Sequence, residues 1–203
     1  MHMPTKRPRL IVGISGATGI VYGIRALQIL RTMNVETHLV ISRAGEMTRE
    51  YETSLSRQEL HALADVVHPI ADVGASISSG SFKTLGMLVA PCSVRSLAEI
   101  AGGVTTTLLT RAADVVLKER RKLVLMVREA PLHAGHLRNM LTATEIGAVI
   151  HPPMPAFYTK PGSIEEIVDF SIGRALDAFG LEVPNMPRWG EKILPAPAHP
   201  VGA

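Results

Sequence analysis

The chain predicts a single-domain α/β protein: a mostly parallel, doubly wound sheet sandwiched between two layers of helices. Three observations lead there. Leu123 to Val127 (LVLMV) and Leu85 to Ala90 are apolar without alternation, as strands buried on both faces must be. Strand-like runs alternate with helix-like runs along the chain, the order that βαβ crossovers impose. Finally, 203 residues of which 46% are hydrophobic suffice for one sizeable core.

The elements follow in order. Arg9 to Ile14 reads as the first strand, followed by the turn Gly13-Ile14-Ser15-Gly16-Ala17-Thr18-Gly19 and a helix from about Thr18 to Met33. Glu36 to Ile41 is the second strand, and Ser42 suits the N-cap of a helix reaching about Thr53. A short helix at Arg57 to Leu63 and a short strand at Val66 to His68 come next. Asp72 to Lys83 is a polar Gly/Ser-rich loop before the Leu85 strand, which ends at Pro91-Cys92-Ser93. Helices are expected at Val94 to Ala101 and Leu108 to Arg121, before the Leu123 strand. A helix (Leu132 to Glu145), a strand (Ala148 to Ile150), a Pro-rich loop and a helix (Ile164 to Phe179) complete the domain, taken as residues 1–183. Residues 184–203 hold five prolines and read as a C-terminal arm.

Composition narrows the function. The net charge is +3, but the cations are scattered or lie beside acids, and aromatics are only 4%. A nucleic-acid binder offers a basic stripe or stacking aromatics, so no nucleic-acid partner is expected. The apolar runs are strand-sized, too short to span a bilayer, and the first residues lack a signal-peptide core. A single cysteine fits a reducing compartment, and the cytoplasm is the expected location.

The candidate chemistry lies at strand ends. Arg128 and Glu129 follow the LVLMV strand directly, where open α/β sheets place their ligands. The turn around Gly16 lacks a dinucleotide fingerprint and a Walker lysine. A tight turn that needs glycine and a phosphate cradle are equally consistent with it. Ser93 and Ser96 open a helix after a buried strand and can cap it or bind a ligand. Cys92 reads as a small buried hydrophobe rather than a nucleophile. His133 and His136 share a helix face without a convincing third ligand, so no metal site is expected. Spacing alone does not separate Lys118 from the solvated cations Arg120 and Arg121.

Longer strings carry a resemblance. LIVGISGATGIVYGIRALQIL, ISSGSFKTLGMLVAPCSVRSLAEIAGG, LLTRAADVVLKERRKLVLMVREAPLHAGHLRNML and PPMPAFYTKPGSIEEIVDF cover about residues 9–180. In that order they resemble the flavin prenyltransferases of the UbiX family. The resemblance implies a Rossmann/flavodoxin-like flavoprotein fold. It also implies transfer of a dimethylallyl group from dimethylallyl monophosphate to N5 and C6 of reduced FMN, without a metal. The prenylated FMN would pass to a UbiD-type decarboxylase, and the enzyme would be a homo-oligomer, usually a dodecamer, with sites between subunits.

By the same resemblance, Gly16, Ala17, Thr18, Ser42, Ser93, Val94, Arg95, Ser96 and Arg128 contact FMN. Tyr158 and Arg174 bind the prenyl phosphate, with Lys118 and Arg128 as further partners, from a neighbouring subunit where needed. Glu129 is the acid at the reacting centre, Glu52 a second acid, and Lys118 a catalytic cation. Ser79, Gly80 and Ser81 line the flavin and prenyl pocket, and Trp189 covers it. Two departures stand out: Thr106-Thr107 replaces a common Asp-Asn, and no tryptophan stands near Asp72 and Val73. The alternatives are an FMN-dependent cysteine decarboxylase of the same superfamily and a non-catalytic flavin carrier subunit.

Overall fold

The computed structural model describes residues 7–190. Six strands form one sheet: β1 (Arg9–Ile14), β2 (Glu36–Ile41), β3 (Val66–His68), β4 (Gly86–Cys92), β5 (Lys122–Val127) and β6 (Ala148–Ile150). Seven helices complete the fold: α1 (Ile20–Thr32), α2 (Arg43–Glu52), α3 (Arg57–His61), α4 (Val94–Ala101), α5 (Leu108–Lys118), α6 (Ala134–Glu145) and α7 (Ile164–Asp177). The strand order is β3-β2-β1-β4-β5-β6, with every pair parallel. The order reverses between β1 and β4, and the crevice beyond their carboxyl ends is the usual ligand site of such sheets.

The non-alternating strands now have their reason. Leu10, Val12, Leu88, Val124 and Met126 pack with α1 and α7 on one face. Their neighbours Ile11, Met87, Val89, Leu123 and Leu125 pack with α4 and α5 on the other. Successive side chains point to opposite faces, and each face meets a helix layer, so both sets must be apolar.

Several boundaries differ from expectation. Helix α1 starts at Ile20, not Thr18, because Gly19 is its N-cap in a left-handed conformation (φ 98°) that leaves Thr18 in the turn. Helix α5 stops at Lys118 rather than Arg121, since Arg120 turns to φ 56° before β5. Strand β4 runs on through Pro91 to Cys92 with an irregularity after Val89. His133 caps α6 instead of Leu132 opening it, its Nδ1 accepting the Gly135 N–H at 3.0 Å. Within the expected loop Asp72 to Lys83, Ser76–Ser78 forms a 3-10 turn.

Of the expected C-terminal arm, residues 184–190 lie on α7. Met186 is buried against Gly173, and Arg188 pairs with Asp177 at 2.8 Å. Residues 191–203 of the arm lie outside the described residues. No helix among the described residues is long and apolar enough to cross a membrane.

Candidate active site at the carboxyl edge of the sheet

Ser15 joins the loops after β1 and β4. Its Oγ donates to the Pro91 carbonyl at 3.1 Å and accepts the Ser93 N–H at 2.7 Å. This buried hydroxyl was not singled out from the sequence; its signal is only its place in a turn of small residues. Beside it, Gly16 is required by close approach: a Cβ there would stand 2.2 Å from that of Ala44.

Ser42 and Ser93 cap the helices that open beside this crevice. Ser42 Oγ accepts the Gly45 N–H at 3.0 Å, and Ser93 Oγ accepts the Ser96 N–H at 3.2 Å. Both serines line a cavity of about 280 Å³ together with Gly16, Arg95, Ser96 and Thr107. Two helix N-termini thus present the positive ends of their dipoles to one small cavity whose walls are otherwise largely apolar. Arg95, largely exposed, reaches Glu99 at 2.9 Å and adds a fixed cation at its rim. Thr107, at one of the departures from the family pattern, caps α5 by accepting the Thr110 N–H at 3.3 Å. Glycine, hydroxyl and guanidinium groups of this kind suit a phosphate-bearing cofactor such as FMN.

On the other side of the turn, Glu52 reaches α1. Its Oε2 accepts the N–H groups of Gly19 (2.8 Å) and Ile20 (3.0 Å). Partial burial pushes this carboxyl up, but hydrogen bonds from Thr18 and those two N–H groups, with the Arg128 charge, bring it below its ordinary value. Glu52 therefore stays ionised and occupies the helix N-terminus that the Gly-rich turn alone suggested for a phosphate. Arg128 is exposed, its N–H bonded to the Cys92 carbonyl at 3.1 Å. Half-buried Glu129 follows, one oxygen accepting the Ala130 N–H at 3.0 Å. Cys92 is fully buried, and its thiol is pushed up to about 12, so it remains protonated.

A second cavity, of about 460 Å³, opens after β6 and is lined by His151, Phe157, Tyr158, Phe170, Ser171 and Arg174. Tyr158 packs edge-on against Phe170 and Trp189. Arg174 pairs with Asp177 at 2.6 Å. His151 was not anticipated; its only sequence signal is its place directly after a strand.

One part of the expected constellation is not gathered within the chain. Lys118 precedes β5, whereas Arg128 follows it, and a six-residue strand separates the two by about 20 Å. Lys118 instead lies at the amino edge beside Gly80, paired with Glu119. Arg121 holds the same loop through the carbonyls of Gly80 (2.7 Å) and Phe82 (2.8 Å). Ser79, Gly80, Ser81 and Lys118 thus form one group at the far end of the sheet. His133 and His136 stack at 3.7 Å, and no group of three metal-binding side chains occurs among the described residues.

A parallel sheet with small, hydroxyl-rich loops at its topological switch defines a class, the α/β flavoproteins. The Flavoprotein family model matches residues 2–176. The flavin prenyltransferase UbiX of Neisseria meningitidis serogroup B is 58% identical over 181 residues, covering 89% of this chain and 96% of that one. The structure of AnUbiX (PadA1) in complex with FMN and dimethylallyl pyrophosphate superposes with a TM-score of 0.89 at 53% identity, covering 91% of this chain and 98% of that one. A dodecameric FMN-dependent UbiX-like decarboxylase from Escherichia coli O157:H7 gives a TM-score of 0.87 at 53% identity, covering 89% and 98%. The chain belongs to the UbiX-like flavin prenyltransferase family.

Proposed function

We propose that the protein transfers a dimethylallyl group from dimethylallyl monophosphate to N5 and C6 of reduced FMN, making prenylated FMN for a UbiD-type decarboxylase. The observation that carries this reading is the pair of cavities at one sheet edge, each with an arginine and hydroxyl groups in its lining. One lies at the β1/β4 switch and the other beside β6. Two phosphate-bearing molecules, a flavin nucleotide and a prenyl phosphate, match two such seats.

Gly16, Ala17, Thr18, Ser42, Ser93, Val94, Arg95, Ser96 and Arg128 hold FMN, which supplies the nucleophilic ring atoms when bound. Tyr158 and Arg174 hold the prenyl phosphate and place fixed positive charge and donors where its leaving oxygens develop charge. Glu129 stands at the reacting centre. Glu52 fixes the turn that carries Thr18. Lys118 and the Ser79-Gly80-Ser81 loop, at the opposite edge of their own chain, complete the site from a neighbouring subunit of a dodecamer. The setting is cytoplasmic, and no metal is needed.

The test is anaerobic incubation of the protein with FMN, a reductant and dimethylallyl monophosphate, followed by mass spectrometry of the flavin. The expected product is FMN heavier by one five-carbon prenyl unit. Unmodified FMN from folded, flavin-bound protein would rule the reading out, and turnover by the isolated chain excludes a mere carrier.

A further inference from the structure

His151 is the last side chain before the Pro-rich loop, placed at the carboxyl edge by the bond from its N–H to the Leu125 carbonyl at 2.9 Å. It lines the same cavity as Tyr158 and Arg174, and its Nδ1 is buried without a hydrogen-bond partner among the described residues. An unpaired buried polar atom is costly, and a ligand oxygen is one way to satisfy it. We propose that His151 is a third phosphate-binding group of this cavity and the proton donor to the departing phosphate. The proposal rests on reading the cavity as the prenyl phosphate seat.

The chemistry asks for such a group. Heterolysis of the carbon–oxygen bond in a monophosphate dianion sends the electron pair to the bridging oxygen. Without a proton the leaving group would be trianionic phosphate; with one it departs as hydrogen phosphate. The allylic fragment passes to the prenyl acceptor, the proton moves from imidazolium to oxygen, and His151 returns to its neutral form.

The surroundings set the proton inventory. The charged group that lines the cavity with His151 is Arg174 on α7, itself paired with Asp177; the phenol of Tyr158 is the other titratable neighbour in the cavity. Burial first, and then the Arg174 charge, hold the free imidazole below its ordinary value, partly offset by its own backbone carbonyl. It is therefore neutral at neutral pH before substrate arrives. A phosphate dianion reverses the local field and favours the imidazolium. Binding thus loads the proton that bond cleavage consumes.

The proton count can be measured directly. FMN-loaded protein, with the flavin kept oxidised so that no transfer follows, is titrated calorimetrically with dimethylallyl monophosphate at pH 7.5 in buffers of differing ionisation enthalpy. Close to one proton should be taken up per ligand by the wild type, and markedly less by His151→Gln and His151→Phe. With reduced FMN, single-turnover transfer in these variants should fall about 100-fold or more, with loss of the alkaline limb of the pH profile. Binding that depends on Arg174 with unchanged proton uptake in both His151 variants would overturn the proposal alone. The same follows if Glu129→Gln, not His151→Gln, abolishes the uptake. Binding indifferent to Arg174→Ala would instead overturn the site assignment, and this proposal with it.

Discussion

The carboxylate of Glu52 closes the N-terminus of α1 through Gly19, whose N–H it accepts at 2.8 Å. An acid at the end of one helix thereby does for another what Gly19, without a side chain, cannot do for itself. It also ties the FMN-side turn to α2, since the same oxygen accepts the Ile20 N–H at 3.0 Å.

Glu52→Ala should therefore cost stability as well as activity. Loss of a helix cap costs about 1 kcal/mol. Glu52→Gln, which keeps an acceptor oxygen, should lose less. Urea unfolding of the three proteins is the check, and equal midpoints would show that the contact does not cap.

Arg174→Ala should weaken dimethylallyl monophosphate while leaving FMN affinity nearly intact. Losing a charge-assisted contact costs about 1.5–3 kcal/mol, hence roughly 10- to 150-fold. Stability should change little, because Asp177 keeps Arg188 as a partner. Equal losses of both ligands would place Arg174 elsewhere in the mechanism.

Lys118→Ala and Arg174→Ala should complement each other. The two side chains belong to opposite regions of one chain, so a site shared between subunits can draw an intact copy of each from different protomers. Co-expressed mixed oligomers should regain part of the activity that each variant lacks alone. Mixed oligomers as inactive as the single variants would mean that both residues serve a site from the same chain.

Turnover should persist in excess EDTA. Arg128, Tyr158, Arg174 and Lys118 can supply the charge and donors that a divalent cation would bring to the leaving phosphate. Activity abolished by EDTA and restored by magnesium would sink this mechanism even if prenylated FMN remained the product.

Acid should remove stability in two windows. The Arg7 guanidinium, with the N–H and hydroxyl of Thr37, outweighs partial burial and holds Asp65 down at about 2 against an ordinary 3.8. The native state gains from ionised Asp65 fully above 3.8 and loses that gain as pH falls through about 2. His68 is also depressed, by burial and then by His38, so its contribution is present above the ordinary 6.5 and fades as pH falls through its lower folded value. Thermal melts against pH should show the lower step shrink in Asp65→Asn, with lowered carboxyls such as Glu52 and Glu36 keeping the rest, and the upper step shrink in His68→Gln.

The strands, the helix order and the serine caps were legible in the chain because each depends on neighbours a few residues away. LVLMV declares a strand covered on both faces, and Ser42 and Ser93 stand immediately before the helices they cap. Arg128 and Glu129 could be placed because the end of a parallel strand is itself a location. The last turn of α5 was misread, since a cationic run looks helical until the left-handed Arg120 shows where the chain bends to enter β5.

Other relationships were settled only by tertiary structure. Glu52 meets Gly19 across 33 positions of sequence, and Ser15 meets Ser93 across 78. His151 joins Tyr158 and Arg174 because the end of β6, a short loop turn and α7 converge on one cavity. Periodicity reports which face of an element is buried; only packing fixes which elements meet and at which end.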